Sequence, residues 1–135
     1  RINIQRIISG IFEVDGLYIL MELKTGPWKD YKRTMMRKEM AFYKLLFDSA
    51  TPEVLEQNGL NPEYEMKYWG WYYPASNYTY VEECKPSSHT AVLKGLTELL
   101  ASYEKDDFYA KYFFKTCQNC SFYGICEKAQ EESWM

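Results

Sequence analysis

The chain carries no surplus of positive charge. Sixteen lysines and arginines stand against nineteen acids over 135 residues, a formal charge of −3. That excludes a generally basic coat for nucleic acid, so any such ligand must be held by a local basic patch together with a metal. Also missing is an apolar run long enough to span a membrane, and nothing at the start reads as a signal peptide. There is no internal repeat, low-complexity tract or linker, which points to one domain, 1–135, with a single modest core. Cysteine is scarce, at four residues; without a secretory signal these point to a reducing, cytoplasmic compartment and to metal binding ahead of disulfides.

What is present is apolar and aromatic: 47% hydrophobic residues and 13 tyrosines mark a globular chain. The opening Arg1-Ile2-Asn3-Ile4 reads as a chain already inside an extended segment, so further residues are expected ahead of it.

The stretch Phe12 to Thr25 organises the reading. Leu17 to Leu23 is almost unbroken apolar sequence, as a strand buried on both faces requires, yet it carries Glu22 and then Lys24. Side chains alternate along a strand, so this carboxylate and this ammonium share a face. Asp15-Gly16 is a turn signal that predicts a hairpin of 2–14 with 17–24, expected to fold Glu13 and Asp15 back toward Glu22. Charges set in an apolar strand cost several kcal/mol unless compensated. A divalent cation on the acids, with Lys24 aimed at a substrate phosphate, would compensate them; the plain alternative is a same-face ion pair near solvent.

Asp30 can cap a helix to about Phe47, with Tyr31, Met35, Met36, Met40, Tyr43, Leu46 and Phe47 as its apolar stripe and Glu39 on that stripe. Lys29, Arg33 and Arg37 recur on the other face, as a solvated surface or as a stripe that tracks phosphates. Thr51-Pro52 starts a short helix that stops at Asn58-Gly59. Tyr64–Tyr73 and Tyr78–Cys84 read as a second hairpin whose aromatics form core or stack bases. Ser87 or Ser88 begins a helix with Val92, Leu93, Leu96, Leu99, Leu100 and Tyr103 on one face, and Phe108–Phe114 reads as helical. This order predicts a mixed α/β sheet flanked by helices, ending in a cysteine-bearing tail over 108–135.

Cys117, Cys120 and Cys126 are spaced C-x2-C-x5-C, close enough to share one metal centre with a fourth ligand. A zinc ion would accept Cys84 or His89 there; an iron–sulfur cubane wants a fourth cysteine, Cys84 or one ahead of Arg1. His89 reads more readily as a first-turn helix residue than as a ligand.

Taken together, Ser9-Gly10-Ile11-Phe12-Glu13-Val14-Asp15, Glu22-Leu23-Lys24-Thr25-Gly26, Glu39-Met40-Ala41-Phe42-Tyr43 and the late cysteines resemble the PD-(D/E)XK nuclease superfamily. The similarity is to its RecB/AddB-like and CRISPR-associated exonucleases with an iron–sulfur cluster. It implies a restriction-endonuclease-like fold and Mg²⁺- or Mn²⁺-dependent DNA cleavage on single strands or duplex ends, within a larger DNA-repair or CRISPR-type complex. It also implies metal ligation by Glu22 and by Glu13 or Asp15, with Lys24 at the attacking water. Glu39 and Tyr43 fall on the family's Gln-x-x-x-Tyr helix, which contacts DNA or supports the site, and the three late cysteines would hold a [4Fe–4S] cluster. The chain departs from the pattern at Glu13, where the family has aspartate, and at Glu39, where it has glutamine. It also lacks an upstream histidine and first cysteine. A non-catalytic nucleic-acid-binding module and a zinc-stabilised interaction domain are the alternatives.

Overall fold

A computed structural model describes residues 7–108 and 110–132. The chain divides into two compact units, Arg1–Leu96 and Thr97–Met135.

In the first unit, β1 (Gly10–Val14) and β2 (Leu17–Leu23) form an antiparallel hairpin. Asp15 and Gly16 close it with positive φ angles of 51° and 75°, the backbone that a two-residue turn of this hand demands. A 3₁₀ turn at Asp30–Lys32 leads into α1 (Arg33–Ser49), and α2 (Pro52–Gln57) follows, its Thr51 cap accepting the Val54 N–H. The chain then returns as β3 (Glu65–Tyr73), parallel to β2, and turns at Pro74–Ser76 into antiparallel β4 (Tyr78–Glu83). The strand order is β1-β2-β3-β4, so this is a mixed α/β sheet flanked by helices. The parallel β2–β3 step needs a crossover, and α1 with α2 provides it.

The two inner strands carry the core because both of their edges are paired. Tyr18 and Leu20 of β2 and Met66, Trp69, Trp71 and Tyr73 of β3 are buried against Met36, Met40, Ala41, Tyr43 and Phe47 of α1, and Leu55 of α2 joins them. The aromatic run of β3 is therefore core at Trp69, Trp71 and Tyr73; only Tyr72 of that run lies well exposed. Trp28 closes the sheet's far end by stacking on Tyr78 at 4.6 Å between ring centroids.

Several expectations need correction. Tyr31 and Met35, assigned to the apolar stripe, are 80% and 55% exposed, because the buried face of α1 runs Met36, Met40, Tyr43, Phe47 at spacings of four, three and four. Residues 7–9 precede the first strand instead of belonging to it, and residues 2–6 of the expected strand lie outside the described residues. Phe108 and 110–113 are not helical. α3 (Pro86–Lys105) ends earlier, at Asp106 with φ of 52°, and only α4 (Phe114–Cys117) resumes the helix before α5 (Glu127–Glu132). α3 also starts at Pro86, ahead of the two serines, since proline suits a first helical turn. Its stripe at Leu93, Leu99, Leu100 and Tyr103 is exposed. Among the described residues no helix is long and apolar enough to cross a membrane.

Candidate active site

Tyr18, Leu20 and Glu22 alternate along β2 with Leu17, Ile19 and Met21, and the first set is the buried one. Alternation thus sends Glu22 to the face that α1 covers, where it is only 8% exposed. Ser9 donates its hydroxyl to Glu22 Oε1 at 2.5 Å. The other oxygen, Oε2, is buried without a hydrogen-bond partner among the described residues. An ionised carboxylate left half-satisfied in this way costs free energy comparable to a lost charged hydrogen bond, about 1–3 kcal/mol.

Lys24 lies two residues on, just past the end of β2, where its backbone N–H donates to Tyr72 O at 3.0 Å and prolongs the pairing with β3. Its Nζ is 3.0 Å from Glu39 Oε1. Tyr43, one helical turn along α1, donates its hydroxyl to that same oxygen at 2.8 Å. Glu22, Lys24, Glu39 and Tyr43 thus belong to one neighbourhood between the sheet and α1. Tyr73 reports the combined negative charge: burial pushes its phenol pKa up, and the Glu39 and Glu22 carboxylates add to the rise.

Glu13 and Asp15 are not part of this neighbourhood. The register pairs Glu13 with Tyr18, and Asp15 sits in the turn itself. Glu22 lies four positions further along β2, roughly 13 Å at strand rise. The cause is the tightness of the Asp15-Gly16 turn. With Val14 opposite Leu17 and Gly10 opposite Met21, the next position, facing Glu22, is Ser9. The hairpin thus forms as expected, but its register carries Glu13 and Asp15 away from Glu22.

The arginines have partners of their own. Arg37 donates from Nε and Nη2 to the two oxygens of Glu82, both at 2.8 Å, and Trp69 Nε1 and Tyr80 OH add bonds at 2.9 and 3.0 Å. Burial alone would push the Glu82 carboxyl up, but the hydrogen bonds from Arg37, Trp69 and Tyr80 outweigh it and hold its pKa at about 2. Arg33 lies 5.4 Å from the Tyr80 ring and 3.9 Å from Asp30. Hence Arg37 is committed to an internal fork, not to a free phosphate stripe. Sequence reading missed Glu82. A signal existed, because alternation along β4 puts Tyr80 and Glu82 on the less exposed side, and an inward carboxylate requires a partner.

Cys84 belongs to the first unit. Its Sγ lies 3.7 Å from Met66 O, and burial pushes the thiol up to about 12, so it is protonated at neutral pH. It shares a cavity of about 400 Å³ with His89, Lys44 and Asp48. Cys117, Cys120 and Cys126 belong to the second unit and are free thiols. Local turns wind this segment: Cys120 N–H donates to Cys117 O at 3.1 Å, and Cys126 N–H to Phe122 O at 2.9 Å. Phe113 N–H donates to Cys117 Sγ at 3.4 Å.

Two kinds of metal are implied by the resemblance, and the residues meet them differently. Glu22 Oε2 is a buried carboxyl oxygen lacking a partner among the described residues, which fits one carboxylate ligand to a hard cation that keeps several waters. Three free thiols within ten residues suit a thiophilic centre in donor chemistry. Among the described residues no three histidine, cysteine, aspartate or glutamate side chains gather into a metal-binding group. No protein-family model matches this chain, and a search of curated proteins gives no match.

Proposed function

We propose that this chain is a metal-dependent nuclease domain that hydrolyses DNA phosphodiesters, with its late cysteines holding a structural [4Fe–4S] cluster. The observation that carries the proposal is Glu22: a carboxylate buried in the sheet, one oxygen without a partner among the described residues, two residues from a lysine that α1 anchors. In this reading Glu22 holds Mg²⁺ or Mn²⁺, which when bound polarises the scissile phosphate and acidifies water. Lys24 presents its ammonium to the charge that builds on the phosphate. Glu39 restrains Lys24, and Tyr43 restrains Glu39, so the amine is preorganised instead of swinging on its stem. DNA, as single strands or duplex ends, is the proposed substrate, and the cytoplasm the proposed compartment. Assembly into a DNA-repair or CRISPR-type complex follows from the same resemblance.

Lys24→Ala tests this directly. Cleavage of a labelled oligonucleotide in Mn²⁺ is expected to fall roughly a hundredfold or more, while binding in a gel-shift assay survives. Wild-type cleavage by the variant would rule the assignment out.

A second reading is a nucleic-acid-binding module with the nuclease layout but no catalysis. Ser9 favours it, since a serine stands across the hairpin from Glu22 where a second acid would complete the site. Calorimetric titration of Mn²⁺ separates the two readings: heat of binding supports the enzyme, and its absence the module. Colour distinguishes the cluster from its zinc alternative, because only iron makes the protein brown.

A further inference from the structure

Ser9 has a role in the site beyond its place in the hairpin. It lies one position before β1, across from Glu22 in the register that the Asp15-Gly16 turn imposes. Its hydroxyl is the donor to Glu22 Oε1 at 2.5 Å, a short bond to a carboxylate that is 8% exposed. Glu22 has rotatable bonds that would let either oxygen turn toward solvent or toward the core. With Oε1 tied to Ser9, the rotation is arrested and Oε2 stays as the oxygen with no protein donor among the described residues. Ser9 and Glu22 also line a largely apolar groove with Phe12, Met21, Leu23 and Tyr72.

We infer that Ser9 is a positioning residue for a divalent cation. It occupies one oxygen of Glu22 and leaves the other as a single, fixed, monodentate ligand. Hard cations of the Mg²⁺ and Mn²⁺ class suit such a ligand, since they take one or two carboxylate oxygens and complete their shell with water and substrate phosphate. Hydrogen-bonded partners of metal ligands commonly set affinity by ten- to a hundredfold. This inference rests on the proposed metal site, and the controls below separate their failures.

The experiment is Mn²⁺ titration by calorimetry on the full chain, comparing wild type with Ser9→Ala, Ser9→Thr and Glu22→Gln. Ser9→Ala is expected to weaken Mn²⁺ binding about tenfold. Ser9→Thr, which keeps the hydroxyl, is expected to restore it to near the wild-type value, and Glu22→Gln to abolish it. Rescue by threonine is the readout that a merely structural serine would not give. Wild-type affinity in Ser9→Ala beside a non-binding Glu22→Gln overturns the role of Ser9 and leaves the metal site standing. A wild-type chain that takes up no Mn²⁺, or a Glu22→Gln variant that binds normally, overturns the metal site and this inference together.

Discussion

Glu82 and Glu22 are both inward carboxylates on strands of one sheet, yet among the described residues only Glu82 is fully satisfied. Glu82 accepts four hydrogen bonds, two from the Arg37 fork and one each from Trp69 and Tyr80. Among the described residues Glu22 accepts one, from Ser9, and its other buried oxygen has no partner. The contrast separates a structural acid from a candidate ligand. It also yields a pH dependence with a definite sign. The folded pKa of Glu82, at about 2, lies below its ordinary 4.5, so the stability it contributes is complete above pH 4.5. It drains away as pH falls toward 2, when the unfolded chain binds the proton more readily than the folded one. Glu82→Gln is expected to cost about 3 kcal/mol at pH 7, because the Arg37 charge is left part-buried without its counter-ion. Urea denaturation at pH 7 and pH 3 checks both points, and the difference between variant and wild type should shrink at the lower pH. An equal difference at the two values would show that Glu82 is not held as an anion.

At the scale of elements, the site depends on which strands become central. β2 and β3 each pair on both edges, and their parallel alignment brings Glu22 opposite Trp71 and the extension at Lys24 against Tyr72. Close approach at Gly70 helps to hold β3 in this position. A Cβ there would meet Tyr80 O at 2.3 Å, with Met21 Sδ and Val81 Cγ2 each at 2.9 Å. The carbonyl belongs to the backbone of β4 and cannot swing aside. Gly70→Ala is therefore expected to destabilise the fold by about 2–3 kcal/mol. Hydrogen exchange should quicken at the β3–β4 pairing more than at β1–β2, and uniform exchange across the sheet would contradict the assigned clash. Hairpin existence was legible in Asp15-Gly16 and in Pro74 to Asn77. Register was legible too, had the two-residue turn been counted outward: residues pair across it symmetrically, which reaches Ser9 opposite Glu22 and never Glu13.

For the molecule as a whole, the division at Leu96 and Thr97 puts the carboxylate site and the C-x2-C-x5-C segment in different units. The second unit has little apolar burial to support it, Ala129 being its buried residue among those described. A short segment with so small a core draws its order from cross-links, and the proposed cluster would supply them. Chelation or oxidative loss of metal is expected to accelerate hydrogen exchange across 110–132 by tenfold or more. The strands of the first unit should keep their protection. Unchanged exchange in 110–132 after metal loss would sever the cysteines from any structural role. Turn residues and periodicity were enough, by themselves, to determine the order of the strands and the helix between them in the first unit, and to put Glu22 and Lys24 on one face. Those features follow from local backbone geometry and alternation. Only the tertiary structure decided that Glu39 and Tyr43 anchor Lys24, that Glu82 engages Arg37, and that Ser9 reaches Glu22. Each joins residues separated by 13 to 45 positions. Such contacts depend on how α1 settles on the sheet and where the strands come into register, which no local preference encodes.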